Sequence, residues 1–230
     1  MARGEWPVNR RGLPARFFRS CPKGPRPVIA LFTADSPRAG NDANMNLYRY
    51  LIIGNFALFQ LLWFAAIFGA AAGLLAPVLL VLLMLFVLGP LFERPLAPDL
   101  RMACAGLLVG LAVEPLWIGA GLIEYRLQFH ALLPPVWILA LWMGFALSFN
   151  YSLAWLQGRR LLAAVFGGVG SVLSVLAGVR FGAAEAPAGL LPLALAYGAL
   201  WAILVPMLAQ LAQRFGKADR LKGMINGTPA

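Results

Sequence analysis

Charge is scarce in this chain. Asp, Glu, Lys and Arg make up 12% of its 230 residues, about half the ~25% of a soluble domain, and this excludes an ordinary water-solvated globule. Cysteine is rarer still, with Cys21 and Cys104 alone. One lies in a basic tail and the other near the end of an apolar run, which leaves no place for a disulfide framework. A single histidine, His130, beside two cysteines excludes a Cys/His zinc site, which takes about four clustered ligands. No nucleophile–base pair, phosphate-cradling glycine loop or nucleotide fingerprint is present. Gly167-Gly168-Val169-Gly170 has the glycines of such a loop, but it sits inside an apolar run with no strand before it, where helix packing explains it. No metal and no cofactor is therefore expected.

What the chain has in abundance is apolar length. Hydrophobic residues make up 61% of it, gathered in long runs, which is the mark of membrane helices. The pattern predicts an all-α integral membrane bundle of six transmembrane helices over 50–71, 76–92, 102–123, 134–156, 161–179 and 190–211. The second run, bracketed by Pro77 and Pro90 with almost no polar residue between, is expected to face lipid. Pro134 and Pro135 suit a first helical turn, and Pro206 is expected to kink the sixth helix.

The domain plan is a basic, proline-rich N-terminal tail over 1–44, a six-span domain over 45–212 and a basic tail over 213–230. Proline and charge at the density found in 1–44 argue against a packed core. Arg10-Arg11 invites a twin-arginine reading, yet no adequate apolar region follows it. Translation from Met45, just before the first span, is the alternative. With six spans, every Lys and Arg except Arg126 and Arg180 falls on one side. The positive-inside rule then places both termini in the cytoplasm, as for a multi-pass protein of a bacterial inner membrane. The formal net charge of +10 comes from residues at span ends, with no basic patch interleaved with aromatics, so nucleic-acid binding is rejected.

Glu114 is the focus of the third span. Gly106, Gly110, Glu114, Trp117 and Gly121 recur at helical spacing, and a stripe of glycines lets another helix approach closely. The acid on that stripe points into the bundle, and an ionisable group within the hydrocarbon is costly enough to suggest a role. Gln60 is expected at similar depth, with Asn55 and Asn150 nearer the cytoplasm. These four define a candidate polar cavity opening inward between spans one, three and four. The competing account makes each of them interhelical glue, worth about 0.6 kcal/mol apiece. Arg180, Trp137 and Trp155 are read as interface anchors or headgroup contacts. Glu124, Arg126 and His130 are read as a solvated loop.

Four segments carry a family resemblance: Asn55-Phe-Ala-Leu-Phe-Gln60-Leu-Leu-Trp63, Pro134-Pro135-Val-Trp137-Ile-Leu-Ala-Leu-Trp142-Met-Gly-Phe145, Asn150-Tyr-Ser-Leu-Ala-Trp155 and Ala177-Gly178-Val-Arg180-Phe-Gly182. Over about 45–184 the chain resembles a family of small bacterial inner-membrane proteins known only as a domain of unknown function. The resemblance implies a membrane location and an acid at the place of Glu114, and it implies no activity.

Three functions remain. The first is binding or transport of a small or amphipathic molecule, with Glu114 as the proton-sensitive group. The second is a non-catalytic assembly role with a membrane-protein partner or a second copy of the chain. The third is a membrane-embedded enzyme acting on lipid, or its accessory factor. Loops this short leave little room for a soluble catalytic apparatus, which disfavours the third. Membrane lipids are the expected surroundings in all three.

Overall fold

The computed structural model describes the backbone over residues 37–225 and side chains over 46–218. Six α-helices follow in order: α1 (Pro37–Ala71), α2 (Ala76–Leu91), α3 (Leu96–Gly119), α4 (Val136–Ser148), α5 (Arg160–Arg180) and α6 (Leu190–Ile225). Residues 1–36 of the expected tail lie outside the described residues, while 37–44 belong to α1. Four helical stretches are long and apolar enough to cross a membrane: Asn46–Ala71, Leu96–Gly119, Arg160–Arg180 and Leu190–Ala218. The chain is an all-helical membrane protein. The other two helices, of 16 and 13 residues, reach only about 24 and 20 Å at 1.5 Å per residue, against a hydrocarbon core of about 30 Å.

Small residues set the closest helix pairs. On α3, a Cβ added at Gly106 would run into the Trp142 carbonyl and the Ala146 side chain, and one at Gly110 would meet the Trp142 indole at 2.6 Å. The Gly106–Gly110 stripe therefore seats α4 directly on α3, as the spacing suggests. Gly121 does not belong to it: α3 ends at Gly119, and Gly121 has a φ of +64° in the turn beyond. Gly167 of α5 lies in the same way against the Trp201 carbonyl and Val205 of α6. α2 buries Val78, Val81, Leu82, Leu85 and Gly89 and exposes Leu79, Leu80, Leu83 and Met84, so one face packs and the other is free for lipid.

Two expected elements need correction. The fourth helix, expected over 134–156, stops at Ser148. Beyond it the chain makes tight turns and one 3₁₀ turn over Ala154–Leu156. Asn150, Tyr151 and Ser152 all spend their side chains on tertiary hydrogen bonds, and polar side chains used this way compete with helix continuation. The Gln157 amide closes the turn by donating to the Phe149 carbonyl at 2.9 Å. Phe149, Tyr151, Leu153 and Leu156 are buried, so this irregular stretch packs into the bundle.

The third helix, expected over 102–123, begins at Leu96. Pro95 precedes it with extended geometry, and Asp99 falls in its first turn. Asp99, which precedes the expected start of this helix, is thus a buried helical acid, 1% exposed.

The connection expected to be a solvated loop between the third and fourth helices is tied to the one between the fifth and sixth. β1 (Glu124–Tyr125) and β2 (Ala184–Glu185) pair antiparallel, with Tyr125 opposite Ala184. The Arg126 amide extends the tie by donating to the Ala183 carbonyl at 2.9 Å. This strap joins the α3–α4 connection to the α5–α6 connection and fixes Tyr125 over the bundle.

Candidate aromatic cavity at Glu114

Glu114 lies five residues from the end of α3, at the strap end of the helix. It is 2% exposed, and both carboxyl oxygens are engaged. Oε1 accepts from the Trp142 indole at 2.8 Å, and Oε2 accepts from the Tyr125 hydroxyl at 2.6 Å. The Tyr125 hydroxyl also shares a hydrogen bond of 2.5 Å with that of Tyr197 on α6. One carboxyl therefore collects groups from α3, α4, the strap and α6. Burial first, and the neighbouring Glu114 carboxyl second, push the Tyr125 phenol well above its ordinary range, so it stays protonated and able to donate.

Aromatic rings surround this cluster. Trp142 stacks on Trp201 with centroids 4.5 Å apart, Trp117 stacks on Tyr197 at 5.0 Å, and Tyr125 meets the Trp137 edge at 5.5 Å. Phe145 stands edge-on to Trp201 at 5.2 Å and tilted to Phe59 at 5.8 Å. Beside them is a cavity of about 440 Å³ with Glu114, Tyr125, Trp137, Trp142, Tyr197 and Trp201 in its wall. The Trp63 indole, also in the wall, donates to the Ser174 hydroxyl at 2.8 Å. Exposed Phe64 of α1, and Phe166 and Leu173 of α5, also line the cavity. In α1, α3 and α6 the lining residues sit in the half of the helix nearer the strap.

The four residues expected to share one polar cavity are divided. Gln60 lines the cavity with Glu114. Asn55 and Asn150 do not line it: Asn150 bonds to Asp99, and Asn55 bonds to Ser152. The Asp99 carboxyl accepts from the Asn150 amide at 2.8 Å and from the Tyr151 hydroxyl at 2.7 Å. Asn55 Oδ1 accepts from the Ser152 hydroxyl at 2.6 Å and from its backbone N–H at 3.3 Å. Asp99 and Glu114 are fifteen positions apart on α3, about 22 Å along a helix axis. The single inward cavity is therefore replaced by a cavity at the strap end and a filled polar cluster at the other.

The anchor residues also separate. Trp137 is 1% exposed and gives its indole N–H to the Arg126 carbonyl at 2.8 Å. It is a buried wall of the cavity and has no surface for a headgroup, which corrects its reading as an interface anchor. Trp155 is exposed, packed edge-on to Phe166 at 5.9 Å, and Arg180 is exposed at the end of α5. His130 is exposed in a turn, where Nδ1 accepts from the Leu132 amide at 3.3 Å.

Sequence reading missed Tyr125, Tyr197, Asp99 and Tyr151. A signal was available for the tyrosines. The chain has five of them, and the three beyond Tyr50 are all buried and all hydrogen-bonded to a carboxyl or to one another. A tyrosine in an apolar helix or a short connection needs a partner for its hydroxyl, and the two buried acids supply them.

A family model described as "Protein of unknown function (DUF2878)" matches residues 52–207, a stretch that includes both carboxylate clusters and the strap. No curated protein and no solved structure matches the chain.

Proposed function

We propose, from the premise that the chain belongs to the DUF2878 family of proteins of unknown function, that it binds a small or amphipathic molecule in the aromatic cavity at Glu114. The observation that carries this reading is the cavity itself: about 440 Å³, within the range of small-molecule sites, apolar in its walls and with a few convergent polar groups. A second feature supports it. The Trp201 indole N–H on the cavity wall is buried without a hydrogen-bond partner, and a buried donor of this kind suits the oxygen of a guest or of a water. Exposed Phe64 and Leu173 mark the side where an acyl-rich environment meets the cavity, which favours entry from the membrane.

The accompanying topology is six spans. α4, short as a regular helix, completes its crossing with the adjoining residues 149–153, of which Phe149, Tyr151 and Leu153 are buried, and α2 crosses as a short apolar helix. Lys and Arg other than Arg126 and Arg180 then fall on one side, which places both termini in the cytoplasm of a bacterial cell and the protein in its inner membrane. In this orientation the cavity belongs to the outer half of the bundle, in place of the inward opening expected from sequence. Alkaline phosphatase fused after Gln128 is expected to be active, and an inactive fusion there with full expression contradicts the orientation.

The assembly role retains one supporting observation: both oxygens of Glu114 are already satisfied by side chains, as interhelical glue requires. Titration with 1-aminoanthracene separates the two. At Gly170, in the cavity wall, an added Cβ meets nothing within 4 Å, so the backbone there has room to carry the side chain of Gly170→Trp, which is meant to occupy the cavity. Saturable fluorescence enhancement in the native protein, lost in Gly170→Trp, is the expected result. Enhancement that rises linearly and equally in both proteins is micelle partitioning and removes the cavity reading.

A further inference from the structure

We propose that the guest is a hydrophobic organic cation, a quaternary or protonated amine carrying an apolar group; this rests on the cavity reading above and narrows it. The cavity wall contains one acid, Glu114, and no Lys, Arg or His among the described residues. Its remaining polar atoms come from Gln60, two tyrosines, two serines and the indoles. Aromatic faces carry negative quadrupole density and attract cations, most strongly when water is excluded. Trp63, Trp137, Trp142 and Trp201 share this wall with Tyr125 and Phe145. An anion would meet a carboxyl and ring faces, with no cation to receive it. A neutral hydrocarbon would find the apolar surface but leave the carboxyl unused.

The positions of the rings and the acid make the site more than a greasy space. Trp142 presents its N–H to Glu114 and its face to Trp201, so the acid and the ring stack are joined through one side chain. Tyr125 and Tyr197 buttress the other oxygen from the strap and α6. A cation entering past Phe64 and Leu173 would meet ring faces first and the carboxyl at the end of the wall.

The test uses an isosteric pair on the full native chain in detergent: benzyltrimethylammonium and neopentylbenzene, which differ by a nitrogen for a carbon and therefore in charge alone. Binding is read by displacement of 1-aminoanthracene. The cation is expected to bind about tenfold or more tightly than its neutral twin, in line with desolvated cation–π attraction. Glu114→Gln and Trp201→Leu are each expected to shrink that ratio severalfold. Equal or tighter binding of neopentylbenzene overturns the cation assignment and leaves the cavity reading intact. Binding of neither probe, with 1-aminoanthracene still saturable, also overturns the assignment. Loss of 1-aminoanthracene saturation in the native protein removes the underlying cavity reading instead. The isostere comparison needs no variant, so poor folding of either substitution does not protect the proposal.

Discussion

Glu114→Leu is expected to lower the unfolding free energy in detergent by about 3 kcal/mol, with each stranded buried donor costing roughly 1–3 kcal/mol. Leucine fills much of the volume but accepts nothing. The Trp142 indole can only donate and loses its sole partner. The Tyr125 hydroxyl falls back on Tyr197. Glu114→Gln should behave differently. Its amide oxygen can keep the Trp142 N–H, and its NH₂ can donate to Tyr125 if the phenol turns its own proton to Tyr197. That rearrangement preserves every pair, so a loss of about 1 kcal/mol, the worth of one ordinary hydrogen bond, is expected. Thermal unfolding followed by tryptophan fluorescence compares the three proteins. Equal stability of the leucine and native chains would show that the convergence of Trp142, Tyr125 and Tyr197 on this acid contributes nothing to folding.

Asp99→Leu is expected to be comparably damaging, and its effect should be local. The carboxyl holds Asn150 and Tyr151 at once, and these residues begin the irregular stretch after α4. Gly89 of α2 lies so close that a Cβ there would meet the Tyr151 hydroxyl and the Asp99 carboxyl, so the cluster is enclosed from α2 as well. Without the acid, the buried Tyr151 hydroxyl is stranded at roughly 1–3 kcal/mol, the half-buried Asn150 amide loses its partner, and the turns over 149–157 lose what pins them. Hydrogen exchange should rise sharply across 149–157 while α5 and α6 keep their protection. Uniform acceleration over the whole chain would mean that Asp99 supports the bundle globally instead of this segment. Unchanged exchange would mean that it supports neither.

The extent to which this architecture can be read from sequence differs by element. The apolar runs announce the long helices because nothing except a membrane tolerates such lengths of uncharged sequence, and α1, α2 and α5 end within a residue or two of where hydropathy places them. Gly106 and Gly110 announce the α3–α4 contact because close approach needs missing side chains. The end of α4 is hidden for a physical reason. Phe149 to Leu156 is apolar enough to continue a helix, and it stops only because Asn150, Tyr151 and Ser152 find partners on α1 and α3 that are distant in sequence. Asp99 is hidden by its neighbours: an acid between Pro98 and Arg101 looks like a solvated loop until the helix is seen to begin at Leu96. Glu114 stands out at once, but its partners do not. Tyr125 reaches it through a two-residue strap, and a pairing that short leaves no alternating pattern to read.

The distribution of the two acids along α3 also explains why one polar cavity became two sites. Asp99 sits near the end of α3 that faces away from the strap, with Asn150 just beyond the end of α4, and Glu114 sits near the end of α3 that faces it. The Asp99 cluster is built mostly of mutually satisfied groups, and the Asn55 amide nitrogen is buried without a hydrogen-bond partner. The Glu114 cluster borders open volume. Packing alone accounts for the first, and the second has room for chemistry that the protein does not itself supply.

The most direct measurement of the central claim is a structure of the full chain in lipid nanodiscs with benzyltrimethylammonium present. The expected result is non-protein density within the aromatic wall, in contact with the Glu114 carboxyl and the faces of Trp142 and Trp201. A wall closed over by its own side chains, with Glu114 touching only Tyr125 and Trp142, would contradict it.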